Sequence, residues 1–414
     1  MAKPVVVVGA GLAGLTCARR LQRSGVDVVV LEAATHIGGR LTTKRVDGFT
    51  LDRGFQVLFT AYPAAQDILD LKSLELRNFG RGAYVFDGMA NHRIEPSNPI
   101  ALAASPLIGL ADKAKLVDWT LDCMGLSPGQ IQRLPDVTAE RAFRQLGFSH
   151  QFLDQFARPL FGAVFMDRSL SMSRRSAAYV WKMLAEGHAA VPAAGIQAIP
   201  EQLADGLDVR LGARVVELTG QRRLQGVRTE SGESIAAEYV VVATDGTSAE
   251  QLTGFSMPKS WRSQTCLHFE VPTPPVEAPL VCLRSGPGEV DLVVPVSLAA
   301  PEYAPYERHL VSATVSGFDE RPDHELAQAV QDEVVAWFPG RGVSEWQLLG
   351  VDRIEHAVYD QPPGYGRSLP SNTPGRDNLY LAGEVTTASS IQGAMESGDE
   401  CARLIQEDLS GVAA

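Results

Sequence analysis

The chain has 414 residues, 45% of them apolar and 21% charged, a balance that excludes an intrinsically disordered or collagen-like polypeptide. Its length suggests two or three folded units at about 150 residues each. Thirty-seven basic against 49 acidic residues give a formal net charge of −12, which repels phosphate backbones and anionic lipid surfaces, so no nucleic-acid partner is expected.

Five cysteines, Cys17, Cys123, Cys266, Cys282 and Cys401, lie far apart with no CxxC pair. Neither a zinc site nor a disulfide framework follows, and a reducing, cytoplasmic setting fits. The opening run MAKPVVVVGAGLAGLTCARR is not expected to be a signal peptide, because glycines cut its apolar stretch short and basic residues follow rather than precede it. The nearest candidate for a membrane span, Asn98 to Leu110, is interrupted by prolines and a glycine, so membrane contact is expected to be peripheral at most.

In chain order, Val5 to Val8 is a β-branched run that predicts a strand buried on both faces. Leu12, Leu15, Ala18 and Leu21 then put one apolar face on a helix that Ser24-Gly25 stops. Val26 to Leu31 predicts a second buried strand. The three elements form a right-handed βαβ unit. Further on, a strand pair (Ala83 to Phe86, His92 to Ile94) precedes helices over Leu110 to Met124 and Thr138 to Phe148. Leu207 to Ala243 predicts a three-stranded meander, its runs separated by Gly212, Gly220 and Gly232, and then the buried strand Tyr239 to Ala243. Strands over Thr265 to Val271, Leu280 to Leu283, Val290 to Val296 and His309 to Val315, with a helix over Asp323 to Trp337, predict a second, mixed sheet. The chain closes with a strand over Leu379 to Ala382 and a helix over Gly393 to Leu409.

Gly9-x-Gly11-x-x-Gly14 sits between the first strand and the first helix, the context a dinucleotide fingerprint requires. Gly9 allows the tight turn, Gly11 admits a pyrophosphate, and Gly14 permits close helix–strand packing. Glu32, at the end of the second strand, stands where a carboxylate accepts from an adenosine ribose with a free 2′-OH, as in NAD or FAD.

Gly38-Gly39-Arg40, followed by Asp52-x-Gly54-Phe55-Gln56, separates FAD from NAD. These motifs resemble the flavin amine oxidase, phytoene desaturase and protoporphyrinogen oxidase superfamily. The likeness continues at Val215, at the Val240 to Thr244 strand-turn, and at Leu379 to Glu384 with Gln392 to Gly398. It implies an α/β fold: a Rossmann-type FAD-binding domain (parallel sheet plus β-meander) with an inserted α+β substrate domain containing a mixed sheet. The expected division is 1–60, 195–262 and 350–414 for FAD, and 61–194 with 263–349 for substrate.

The resemblance implies FAD-binding roles for Gly38, Gly39 and Arg40 along the pyrophosphate, for Gly54, Phe55 and Gln56 beside the flavin, and for the Val215 backbone at the adenine. Gly383 and Glu384 are expected at ribityl or pyrophosphate oxygens, and Ile391, Gln392 and Ala394 at a helix N-terminus facing the flavin pyrimidine. Hydride reaching flavin N5 leaves negative charge at N1 and O2, which amides near Gln392 and Gly393 would stabilise.

Departures from the family matter too. No lysine occurs after Lys259, Ser389-Ser390-Ile391 replaces the aromatic residue of an amine cage, and no cysteine lies between Gly364 and Ala388 for flavin attachment. These residues predict non-covalent FAD and an apolar, isoprenoid or polyene-like small-molecule substrate, with O2 or a quinone as electron acceptor. The alternatives are an amine or amino-acid oxidase and, from another class, a non-catalytic flavin-binding scaffold or sensor.

Four phenylalanines and two methionines crowd Phe152 to Met172. Of these, Phe161 and Phe165 are expected to face the flavin together with Gln56 and Gln392, in a pocket lined by apolar side chains. His188, His268, His324 and His356 lack metal-ligand spacing and are read as core or surface residues.

Overall fold

A computed structural model describes residues 3–95 and 105–411; residues 98–104 of the apolar run discussed above lie outside them. Val5–Val8, all buried, pairs in parallel with Val28–Leu31 on one side and Tyr239–Val242 on the other. β-Branched side chains fill both faces of these strands, as a doubly covered parallel sheet requires. Leu379–Leu381 and Asp208–Arg210 complete the five-stranded sheet at its two edges. Asp208–Arg210 therefore leaves the expected Leu207 to Ala243 β region for the parallel sheet. The meander consists of Val215–Gly220, Leu224–Thr229 and Ser234–Ala236.

The first helix, Leu12–Arg23, packs against the last, Ile391–Leu409, at close range: a Cβ on Gly398 would come within 2.2 Å of the Ala13 carbonyl oxygen. Both ends of the chain thus build one side of the parallel sheet.

A seven-stranded mixed sheet forms the second body, in the order Gln347–Tyr359, Trp261–Val271, His309–Ser316, Val290–Val294, Val281–Arg284, Ala83–Phe86 and Asn91–Ile94. Every neighbouring pair is antiparallel except Val281–Arg284 with Ala83–Phe86. Helix Asp323–Val334 covers it and stops before Trp337, which is buried in the same core. The expected divisions at 262/263 and 349/350 cut the two longest strands of this sheet, Trp261–Val271 and Gln347–Tyr359. Those strands pair along most of their length.

Leu110–Gly125, Ala139–Gln145, Arg158–Phe165 and Arg174–Glu186 form the helical layer. Its centre is aromatic: Trp119 stacks on Trp181, and Phe143 contacts Phe148, Phe152 and Phe161. Among the described residues no helix is long and apolar enough to cross a membrane, no group of side chains could hold a metal ion, and all five cysteines are free and buried.

Candidate active site

Two glycine turns meet at the carboxyl ends of the parallel strands. Gly9, at φ +108°, leaves no room for a side chain, since a Cβ there would lie 2.6 Å from the Ala243 carbonyl oxygen. Gly14 has its equivalent Cβ position 2.0 Å from the Gly9 carbonyl oxygen, so helix and strand touch. Gly11 is different: nothing lies within 4 Å of its Cβ position, which faces open space. Gly11 is also the N-cap of Leu12–Arg23 and offers no side chain to the first helical amides. Those amides remain available to an anion. The Gly38 amide donates to the Ala10 carbonyl at 2.8 Å, which docks the Gly38-Gly39-Arg40 turn against the first.

Glu32 accepts from the Ala10 amide at 2.7 Å and from the Ala34 amide at 2.8 Å. A carboxylate has about four lone-pair sites, so two remain for ribose hydroxyls. Glu32 is therefore a brace between the two glycine turns as well as a candidate ribose acceptor.

Arg40 lines the cavity and is anchored at both ends of its guanidinium. Its Nη2 pairs with Glu384 Oε1, and its Nη1 donates to the Ala357 carbonyl at 2.9 Å. Glu384 accepts from Ser389 Oγ on its other oxygen and lines the cavity. Gln56 donates from Nε2 to the carbonyls of Arg40 and Arg53, both at 2.9 Å. A Cβ on Gly54, at φ +73°, would lie 2.7 Å from Ile354 Cδ1.

At the closing helix the Ser390 hydroxyl caps the Gly393 amide at 2.9 Å. The amides of Ile391 and Gln392 have no acceptor among the described residues, and these, rather than that of Gly393, are free. The Gln392 side chain turns inward and its Oε1 accepts from the Ala64 amide at 3.0 Å. It does not line the site, against expectation, because the start of helix Pro63–Ile68 needs an acceptor there.

These parts surround one cavity of about 1500 Å³. Single-ligand pockets are usually about 300–1,000 Å³, so this one has room for more than one ligand of that size. Gly9, Gly11, Glu32, Gly38, Gly39, Arg40, Val215, Gly383, Glu384, Ile391 and Ala394 line it, as do Phe55 and Gln56; Gly14, Gly54 and Gln392 stand behind the wall. Glycines without a side chain at the turn, a carboxylate with spare lone pairs and two sets of open helix amides fit an FAD molecule laid from Val215 to Ile391.

Part of the cavity wall is apolar, built from Phe156, Leu160, Val164, Phe165, Trp181 and Leu184. Phe165 was expected there. Phe161 was too, but it is fully buried against Trp119 and Phe143 and does not reach the cavity; at helical spacing its neighbours Leu160 and Val164 take the inner face instead. His188, read above as a core or surface residue, lines the cavity, as do Arg53, Tyr62 and Arg81. Arg53 occupies the variable position of the Asp52-x-Gly54 motif, where no motif could single it out.

Behind Gly54 lies a buried polar cluster. Asp52 accepts from Thr43 Oγ1 at 2.6 Å, the Ile196 amide at 2.9 Å and the Tyr303 hydroxyl at 2.7 Å. Burial pushes its carboxyl up against these bonds. Asp352 meets His268 Nε2 at 3.3 Å and Lys44 Nζ at 3.0 Å. Burial opposes ionisation of Asp352, yet these two partners hold its carboxyl down at about 2. Burial likewise pulls His268 down, but Cys266 and Asp352 outweigh it and raise the imidazole to about 10. His268, read above as core or surface, is thus a core residue with a charged partner.

The sequence of residues 12–406 matches the family described as flavin containing amine oxidoreductase. The chain belongs to this family. Among family relatives, 15-cis-phytoene desaturase of an Oncidium hybrid cultivar is 22% identical over 98% of this chain and 78% of its own length. Hydroxysqualene dehydroxylase of Rhodopseudomonas palustris is 26% identical over 98% of this chain and 99% of its own. Cyclohexylamine oxidase from Brevibacterium oxydans IH-35A superposes with a TM-score of 0.73 at 16% identity, covering 99% of this chain and 100% of that one, which establishes the shared fold. Family membership makes the chain an FAD-dependent oxidoreductase.

Proposed function

We propose that the chain oxidises an apolar, isoprenoid or polyene-like molecule held against the apolar wall, with FAD bound non-covalently. The observation that carries this is the wall itself, where Phe156, Leu160, Val164, Phe165, Trp181 and Leu184 line the cavity. Two relatives whose names denote acyclic isoprenoid substrates, phytoene desaturase and hydroxysqualene dehydroxylase, match along nearly the whole chain.

Bound FAD supplies the hydride acceptor. The residues of the chain do the rest. The Leu12–Arg23 and Ile391–Leu409 N-termini offer amides to developing or resident negative charge. Glu32 and Arg40 orient the cofactor, and the aromatic wall excludes water from the reacting face.

Anaerobic mixing of the flavin-loaded protein with an acyclic polyene in detergent, and separately with primary amines and polyamines, tests the reading. Bleaching of flavin absorbance by the polyene alone is the expected result. Bleaching by amines alone would replace it with an amine oxidase, and bleaching by no organic donor would favour a non-catalytic flavoprotein. Precipitation with acid should release intact FAD, since Gly364 to Ala388 contains no cysteine.

A further inference from the structure

Five non-glycine residues among those described adopt a left-handed backbone: Asp47, Glu75, Met166, Leu170 and Glu307. Asp47, Glu75 and Glu307 are exposed acidic residues in turns and Leu170 is buried; only Met166 lines the cavity. Met166 ends helix Arg158–Phe165 at φ +54°, a position that helices usually give to glycine. A side chain there crowds the backbone, and such a residue persists only where its surroundings fix it.

The surroundings of Met166 do so. The neighbouring Asp167 carboxylate, 6% exposed, accepts from the amides of Ser169 at 3.0 Å and Ser171 at 2.9 Å, and from both of their hydroxyls. Arg168 reaches across to the mixed sheet, where it meets Asp291 at 3.1 Å and the Arg284 carbonyl at 2.9 Å. Arg158 donates to the Arg168 carbonyl at 2.8 Å. The Arg168 stem lies over Gly162, where a Cβ would come within 2.7 Å of its Cγ. Leu170 is fully buried, and its carbonyl accepts from the Glu140 amide at 3.2 Å. Residues 167–170 are thus each tied to the protein, and of this turn only Met166 lines the cavity.

We propose that Met166 contacts the substrate and that Asp167 is the positioning residue that holds it there. A flexible, polarisable thioether fills irregular gaps against an apolar ligand, next to the Phe165 ring that lines the same cavity. Glycine would make this turn without crowding, so a methionine kept here trades stability for contact with the ligand. The proposal rests on the apolar-substrate reading above and adds to it a side chain that meets the substrate.

Calorimetric titration of the flavin-loaded protein with farnesol, an acyclic isoprenoid alcohol, and urea denaturation of the same preparations test it together. M166G should unfold at an equal or higher urea concentration than the wild type, because the crowding is gone. It should also bind farnesol about fivefold or more weakly, because an apolar contact is gone. M166L, close to methionine in volume, should keep most of the affinity. D167N sets an NH2 group against one of the two amides. Its affinity should fall toward that of M166G, and the double variant should bind no worse than M166G; M166G and M166L carry the test if D167N does not fold. Wild-type affinity in M166G would overturn the proposal and leave the apolar cavity standing. A lowered urea midpoint in M166G would assign the side chain to the core and overturn it as well, and full affinity in D167N would overturn the positioning role. No farnesol binding by the wild type would overturn the proposal together with the reading it rests on.

Discussion

Arg40 and Glu384 form an ion pair across 344 residues of sequence, tying the second glycine turn to the turn before the last helix. Glu384 is almost completely buried, whereas Arg40 keeps 40% of its side chain exposed. The pair joins both ends of the chain at the cavity wall, and Gln56 donates to the Arg40 carbonyl.

The pair should therefore behave as one unit toward FAD. Arg40→Gln and Glu384→Gln should each weaken FAD binding by about 1.5–3 kcal/mol, and the double variant should cost little more than either single change. Fluorescence titration of the apoprotein with FAD measures all three. Fully additive losses would show that the two side chains meet the cofactor independently.

Glu32 has two jobs, and a single substitution should reveal both. Glu32→Gln keeps one acceptor but sets an NH2 group against either the Ala10 or the Ala34 amide, leaving a donor unmet. Stability of the apoprotein should fall by about 1–3 kcal/mol, and FAD affinity by a further 1.5–3 kcal/mol if the carboxylate also takes the ribose hydroxyls. Urea denaturation of the apoprotein isolates the first term and FAD titration the second. An unchanged denaturation midpoint would mean that the amides find other acceptors.

The turns were legible because their chemistry is local. Gly9, Gly14 and Gly38 need backbone conformations or contacts that only glycine allows, and strand–glycine–helix order shows in a window of thirty residues. The strand Asp208–Arg210 was placed with its neighbours in sequence because no local signal says which sheet edge a three-residue strand will join. The division points fall inside Trp261–Val271 and Gln347–Tyr359 because long-range pairing, which no local window shows, sets how far those strands run. Gln392 and Phe161 sit in motifs or stripes that point toward the site, yet an unmet amide at Ala64 and an aromatic core claim their side chains. Arg53 went unseen because a motif names its fixed positions and passes over the variable one.

Phe161 and Phe165 should part company on mutation. Phe161, packed on Trp119 and Phe143 with no exposure, should lose about 3–5 kcal/mol of folding free energy as Phe161→Ala and leave the rate of flavin reduction per folded molecule unchanged. Phe165→Ala and Leu160→Ala, on the cavity side, should change that rate more than they change stability. Denaturation and anaerobic stopped-flow reduction on the same preparations decide the matter; a slowed reduction in Phe161→Ala alone would put the working wall one turn away from where the structure has it.

His268 and Asp352 give the protein a defined pH response. His268 is raised in the folded state to about 10, above the roughly 6.5 of an unfolded chain, so its stabilising contribution is complete below about pH 6.5 and disappears as pH rises through 10. Asp352 is lowered to about 2, below the roughly 3.9 of an unfolded chain, so its contribution is complete above about pH 4 and disappears as pH falls through 2. The pair is at full strength between about pH 4 and 6.5. Both side chains are over nine-tenths buried, and removing one partner of such a pair costs about 3–5 kcal/mol. His268→Gln should accordingly show its largest deficit near pH 5.5, and the gap to the wild type should narrow steadily toward pH 10. Urea denaturation of both proteins at pH 5.5 and 9.5 measures it, and a gap of equal size at the two values would mean that His268 is neutral in the fold and holds Asp352 by a hydrogen bond without charge.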